Sequence, residues 1–270
     1  MTVPQQDKLP FVLFQIKGGL YAVSSGIVRE IVTTPQVTAV AQAPLEVRGV
    51  INLRGQVLKL IDLRVKLGLP TLRAELNNLI QLLKDREQDH RNWLAELESC
   101  VRERRPFKMA RDPHRCKFGL WYDQFKTQDR LLRMTLPAMD APHKAIHATA
   151  DAALSQAQAG DFEAALQLIE ARRNRELAGL IKLFEESRRI LAEGNREVAI
   201  ILSRGGDRLA FTADLVEAVE HIPQESIEQM PVALAGLNGG LRCHVAKRLK
   251  SNQTTLLLSD DFLFSPPAMN

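Results

Sequence analysis

The sequence predicts an α+β protein in which two β-rich segments are interrupted by an inserted bundle of helices. Three observations lead there: β-type runs separated by glycine turns up to residue 70, leucines at helical spacing from Thr71, and a return of the opening β pattern after Asn195.

Phe11 to Ile16 and Leu20 to Val23 are apolar runs flanking Lys17-Gly18-Gly19, which signals a hairpin. Val47 to Leu53 and Gln56 to Ile61 are again rich in β-branched residues, with Arg54-Gly55 between them. Asp62 then opens a short helical turn ending near Gly68-Leu69-Pro70. From Thr71 the period changes. Leu72, Leu76, Leu79, Leu83, Leu94, Leu97 and Val101 form the stripe of a long amphipathic helix that stops by Pro106, since proline lacks the amide proton a helix needs.

A loop to about Arg115 precedes a second helix over Lys117 to Gln128. Asp140-Ala141-Pro142 starts a third, an acidic cap followed by proline in the first turn, and Gly160 ends it. Asp161 caps a fourth, carrying Phe162, Leu166, Ile169, Leu177, Leu180, Phe184 and Leu191 toward Gly194. Four helices imply a bundle, with Trp93, Phe118, Trp121 and Phe125 in its core and the run Arg102 to Arg105 as a solvated helix end.

After Asn195, Val198 to Leu202, Arg204-Gly205-Gly206, Leu209 to Thr212 and Leu215 to Val219 repeat the opening. Neither β unit can bury both faces of a sheet alone, so the two should pack together. The organisation expected is residues 1–70 and 197–270 as two halves of one β-rich domain, with 71–196 inserted.

Of 270 residues, 45% are hydrophobic and 25% charged, which is ordinary globular composition. The net charge of +4 is dispersed among acidic residues, which argues against a nucleic-acid partner. Charges interrupt every apolar run before the roughly 20 residues that span a bilayer, so no direct membrane insertion is expected. The polar start, Met1 to Pro10, has no features of a secretory signal, and the expectation is a cytoplasmic protein. Three cysteines, Cys100, Cys116 and Cys243, are too few for a disulfide framework.

The chemical signal is a cluster of ligand-type residues. Four of the six histidines, His90, His114, His143 and His147, fall close together with Cys116. His143 and His147 are four apart on the third helix, so both imidazoles leave one face. His90 continues the apolar stripe of the first helix and points inward, and Cys116 sits just before the second helix, where the helix dipole favours thiolate. Three imidazoles and one thiolate fill a tetrahedral zinc shell. The plainer alternative is hydrogen-bonded core histidines. His114 is a rival ligand, Cys100 reads as a packed thiol, and adjacent Cys243 and His244 would face opposite ways in a strand. A zinc hydrolase would want glutamate after the first histidine of the helical pair, and this chain has Lys144 there, so no catalytic residue is assigned.

Cys-Lys-Phe-Gly-Leu-Trp-Tyr at 116–122, His-x-x-Trp at 90–93 and Pro-His-x-x-x-His at 142–147 resemble the chemoreceptor zinc-binding (CZB) family. The resemblance covers roughly 75–190 and implies a four-helix bundle binding Zn2+ through His90, Cys116, His143 and His147, with sensing of hypochlorous acid, related oxidants or zinc, and Cys116 as the redox switch. Val-Arg-Gly-Val-Ile-Asn-Leu-Arg-Gly at 47–55, Ile-Asp-Leu-Arg at 61–64 and Ala-Asp-Leu-Val-Glu-Ala-Val at 213–219 resemble the CheW-like family of bacterial chemotaxis. That resemblance implies two small five-stranded SH3-like barrels coupling chemoreceptor cytoplasmic tips to a CheA-type histidine kinase, without catalysis. It implies that Asn52, Arg54 and Gly55 lie at or support a partner surface, although Arg54-Gly55 is also simply a hairpin turn. A homodimer through the bundle is compatible with it. The expected function is thus a signalling adaptor with a zinc-binding sensor, against a constitutive scaffold with structural zinc.

Overall fold

The structure is a computed structural model that describes residues 8–127, 129–194, 197–229, 243–248, 251 and 253–265. The chain divides into two compact units, residues 1–74 with 196–270 and residues 75–195.

The first unit contains β1 (Lys8–Ile16), β2 (Gly19–Ser24), β3 (Val28–Thr33), β4 (Val37–Thr38), β5 (Val47–Leu53), β6 (Gln56–Ile61) and α1 (Leu63–Lys66) from the first segment. The second segment adds β7 (Val198–Arg204), β8 (Asp207–Ala213), β9 (Leu215–Pro223), β10 (Ile227–Gln229), β11 (Cys243–Lys247), β12 (Thr254–Leu258) and a terminal helix, Asp260–Phe264. These strands form two mixed sheets, β10-β11-β12-β2-β1-β9 and β3-β7-β8-β6-β5-β4. Each sheet draws on both segments, so the halves interleave: β1 pairs antiparallel with β9, and β6 pairs parallel with β8. Each sheet has six strands where five are expected, because the short edge strands β4 and β10 extend the ladders.

The hairpins follow turn chemistry. Lys17-Gly18, Arg54-Gly55 and Gly205-Gly206 all have positive φ at both central positions, the backbone that two-residue turns require to match strand twist. Gly49, at φ +145°, lies where β4 pairs with β5, and a Cβ there would stand 2.2 Å from the Thr38 carbonyl oxygen.

Burial explains the apolar runs. Residues of β1 alternate between two clusters, Val12, Phe14 and Ile16 against Ile200 and Phe211, and Phe11 and Leu13 against Ile222 and Leu257. The second sheet likewise closes on Ile51, Leu60, Ile201 and Ala210. Ile222 and Ile227 come from opposite edges of the first sheet yet join one cluster, which requires that sheet to curl. At its end Arg64, only 3% exposed, reaches both carboxylate oxygens of Asp214 at 2.8 and 2.6 Å.

The second unit is helical: α2 (Leu72–Glu103), α3 (Lys117–Tyr122), α4 (Arg130–Thr135), α5 (Asp140–Gln158), α6 (Phe162–Arg172) and α7 (Ala178–Glu193). Thr71 caps α2 by accepting the Ala74 amide at 3.1 Å, and Asp161 caps α6 through the Ala164 amide at 3.0 Å. The single second helix expected over 117–128 is a correction. α3 ends at Tyr122, and Asp129 starts α4 separately by accepting the Leu132 amide at 2.8 Å, while Gln128 lies outside the described residues. The fourth helix is likewise split, by one wider π turn over Arg173–Leu177. The core contains Leu94, Leu97, Phe118, Ile146, Ala150, Ile169, Leu180 and Phe184, all at most 1% exposed.

Candidate metal centre

The stripe that starts at Leu83 carries His90 into this core, where it is 3% exposed, and α5 delivers His143 at 3% and His147 at 1%. Cys116 caps α3, its Sγ accepting the Gly119 amide at 3.2 Å. One ligand atom from each of His90, Cys116, His143 and His147 lies within 4.8 Å of every other. Cys116 Sγ is 3.2 Å from His143 Nε2, a few tenths of an ångström short of the roughly 3.5–3.6 Å expected between a sulfur and a nitrogen donor of one tetrahedral zinc.

The hydrogen bonding leaves these atoms available. His90 donates from Nδ1 to the Arg86 carbonyl at 2.7 Å, which fixes its tautomer and leaves Nε2 a lone pair; that Nε2 has no hydrogen-bond partner. Neither ring nitrogen of His147 makes a hydrogen bond of proper geometry, although the Ala110 and Arg111 carbonyls lie near enough to favour its charged form slightly. Buried polar atoms without partners are costly, and His90 Nε2 and the nitrogens of His147 are left so here. A divalent cation would satisfy one nitrogen of each ring.

The electrostatics agree. Burial, then the positive charge that His90 and His147 would carry, pushes His143 down to about 3. Burial and then His90 push His147 down to about 4, and burial lowers His90 against the pull of the Arg86 carbonyl. All three imidazoles are therefore neutral near pH 7, as ligands must be. Burial raises the Cys116 thiol, with the Gly119 and Phe118 amides opposing it, so the thiolate needs a cation beside it.

Aromatic rings fix the imidazoles. Trp93 lies 4.8 Å from the His147 ring and donates its indole proton to the Ala110 carbonyl at 2.9 Å, while Phe118 is edge-on to His143 at 4.9 Å. Trp121 and Phe125 pack at the margin of the same core. On one side the centre meets a cavity of about 220 Å3 bordered by Cys116, His90, His147, Arg115 and Lys117.

Two families match the chain. The chemoreceptor zinc-binding domain matches residues 90–154, a span containing all four converging residues, and the CheW-like domain matches residues 10–90. The chain carries a CheW-like domain followed by a chemoreceptor zinc-binding domain. Strands β7 to β12 lie outside both matched spans. No curated protein matches. Among solved structures, the crystal structure of the scaffolding protein TtCheW from Thermoanaerobacter tengcongensis aligns at 15% identity over 96% of this chain and 94% of that chain, with a TM-score of 0.45.

Other candidates are placed apart from the centre. His114 projects outward and pairs through Nδ1 with Asp123 at 2.9 Å. Cys100 is buried beside Arg105, whose Nη1 is 2.8 Å from its sulfur. In the β-rich unit, Asn52 accepts the Gly55 amide at 2.9 Å and so shapes the turn, whereas Arg54, 80% exposed, pairs with Glu30 at 2.6 Å. Sequence reasoning missed Gly119, which cannot carry a side chain because a Cβ would meet the Pro113 carbonyl oxygen at 1.9 Å. Its signal was the spacing: a cap at Cys116 calls for a free amide three residues on.

Proposed function

We propose that this chain is a non-enzymatic chemotaxis scaffold that couples chemoreceptors to a CheA-type histidine kinase, with a zinc-binding sensory bundle whose switch is Cys116. In this reading residues 71–196 are the inserted four-helix sensor and 1–70 with 197–270 the scaffold, which presents Arg54 to a partner on the turn that Asn52 and Gly55 shape. The observation that carries it is the convergence of four donors, three of them buried imidazoles, within 4.8 Å.

When bound, zinc would be held by His90, Cys116, His143 and His147, would tie α2, α3 and α5 together and would keep Cys116 as thiolate. His90 is held by the Arg86 carbonyl, and His143 and His147 by Phe118 and Trp93, so the three imidazoles would be oriented donors. Cys116 is the donor that reacts. Its thiolate and hypochlorous acid give a sulfenic acid and chloride: the sulfur gains the oxygen and loses two electrons to the chlorine. The neutral product is a poorer donor, so the link between α3 and the other helices weakens. The cavity beside Cys116 supports access by a small oxidant, which favours this reading over a purely structural zinc.

The test uses the purified full chain. About one zinc per chain, released by mild oxidant and regained on reduction, is the expected result, with zinc held more weakly in Cys116→Ser and what remains bound insensitive to oxidant. Zinc held equally in the presence and absence of oxidant would leave a constitutive scaffold, and a wild-type chain without zinc would end the proposal.

A further inference from the structure

The metal centre leaves the arginine-rich end of α2 unexplained. There Val101, Phe107 and Phe162 line a cavity of about 350 Å3 together with Arg104, Arg105 and Arg111, and no carboxylate borders it. That volume is within the usual range for small-molecule sites.

The three guanidiniums are not equivalent. Arg105 is committed to Glu96 at 2.5 Å and Glu103 at 2.6 Å, and Arg111 to Asp151 at 2.8 Å. Arg104 has no carboxylate partner among the described residues, and its guanidinium lies 4.5 Å above the Phe162 ring. Its backbone is left-handed, at φ 55°. The position just past a helix end that takes this conformation is usually glycine, since a Cβ there crowds the backbone. The chain places an arginine at that position and holds it on the aromatic wall of a cavity.

We propose that this cavity binds a free small organic carboxylate with an apolar tail, Arg104 meeting the carboxylate and Val101, Phe107 and Phe162 meeting the tail. A planar carboxylate matches the guanidinium fork. One uncommitted guanidinium suits a single negative charge, and a phosphate dianion would need a second cation that Arg105 and Arg111 do not have to spare. The proposal is independent of the metal reading, since none of the four converging residues borders this cavity.

The test is calorimetric titration of the full chain with octanoate, 1-octanol, acetate and an acidic peptide, in wild type and Arg104→Gly. Glycine suits the positive φ, so the variant should melt no lower than wild type. The expected result is saturable octanoate binding at one site per chain, weakened about tenfold in Arg104→Gly and for octanol. Absence of saturable octanoate binding, equal affinity for octanol, unchanged affinity in Arg104→Gly, or binding of the acidic peptide in place of octanoate would each overturn it.

Discussion

Gly119 lies so close to Pro113 that a Cβ on it would stand 1.9 Å from the Pro113 carbonyl oxygen, while its amide donates to Cys116 Sγ at 3.2 Å. One residue therefore sets both the turn before α3 and the position of the thiol. Gly119→Ala must push the backbone of 113–116 away. Zinc affinity should fall by about 10- to 100-fold, as for other residues that orient a ligand. Gly179→Ala is the control: it sits in α7 with nothing within 4 Å of its Cβ and should stabilise the helical unit by about 0.5–1 kcal/mol. Zinc content and thermal melting of both variants check this.

His114 and His143 are the residues that separate a real centre from a loose histidine cluster. His143→Ala should lose the metal, whereas His114→Ala should retain about one zinc per chain, because His114 is turned to Asp123. Equal retention in both variants would sink the assignment of His143 as a ligand.

Chelation should destabilise the helical unit selectively. Removing zinc leaves His90 Nε2 and the ligating nitrogen of His147 buried without partners. Structural zinc sites supply about 10–16 kcal/mol of apparent binding free energy, so several kcal/mol should be lost on metal removal. Hydrogen exchange should show faster exchange in α2 and α5 and unchanged protection in β1 and β6.

Acid should loosen the helical unit by a second route. Hydrogen bonds from Arg173 and Arg102 hold Glu98 below its ordinary 4.5. At Glu87 burial raises the value, and the Arg91 and Arg188 partners outweigh it to give a net lowering. Both groups bind protons more weakly folded than unfolded, so their contribution is complete above about 4.5 and is lost as pH falls through the lowered folded values. Both carboxylates keep some solvent contact, so each contribution is about 0.5–1 kcal/mol. Acid also protonates the metal ligands, so the comparison is between wild type and Glu98→Gln in urea denaturation from neutral pH to about pH 3: the variant should lose less stability.

Arg64→Ala should be the most damaging of these changes in the β unit. It leaves the Asp214 carboxylate, which also accepts the Lys17 amide at 2.7 Å, without its guanidinium. Asp214 keeps 20% of its side chain exposed, so the cost should be about 3 kcal/mol, the low end for a broken buried pair. Chemical denaturation of the variant measures it.

Much of the local structure was legible. Arg54-Gly55 announced a turn because glycine tolerates positive φ, and the change of period at Thr71 marked the start of α2. Asp140 was expected to cap α5, but it is the first residue of that helix, makes no capping bond and pairs with Lys144 at 2.8 Å. The second helix was expected to run past Tyr122 to Gln128, and α4 was not anticipated although Asp129 carries its cap, because six residues are too short to show a helical period. The exchange of strands between sheets had no local signal. Each run is apolar whether it pairs with its sequence neighbour or with a strand from the far segment, and only burial on both faces of β1 distinguishes the two.

The sequence by itself determined the main strand runs, the glycine turns and the long helices, and which residues have the chemistry to be ligands, because these follow from side-chain type and from periods of two and 3.6 residues. Tertiary structure alone decided that β1 lies beside β9 and that donors on α2, α3 and α5 lie within 4.8 Å. Distances between separate elements depend on how side chains such as Phe118, Ile146 and Phe184 fill the space among them, and no spacing along the chain encodes that.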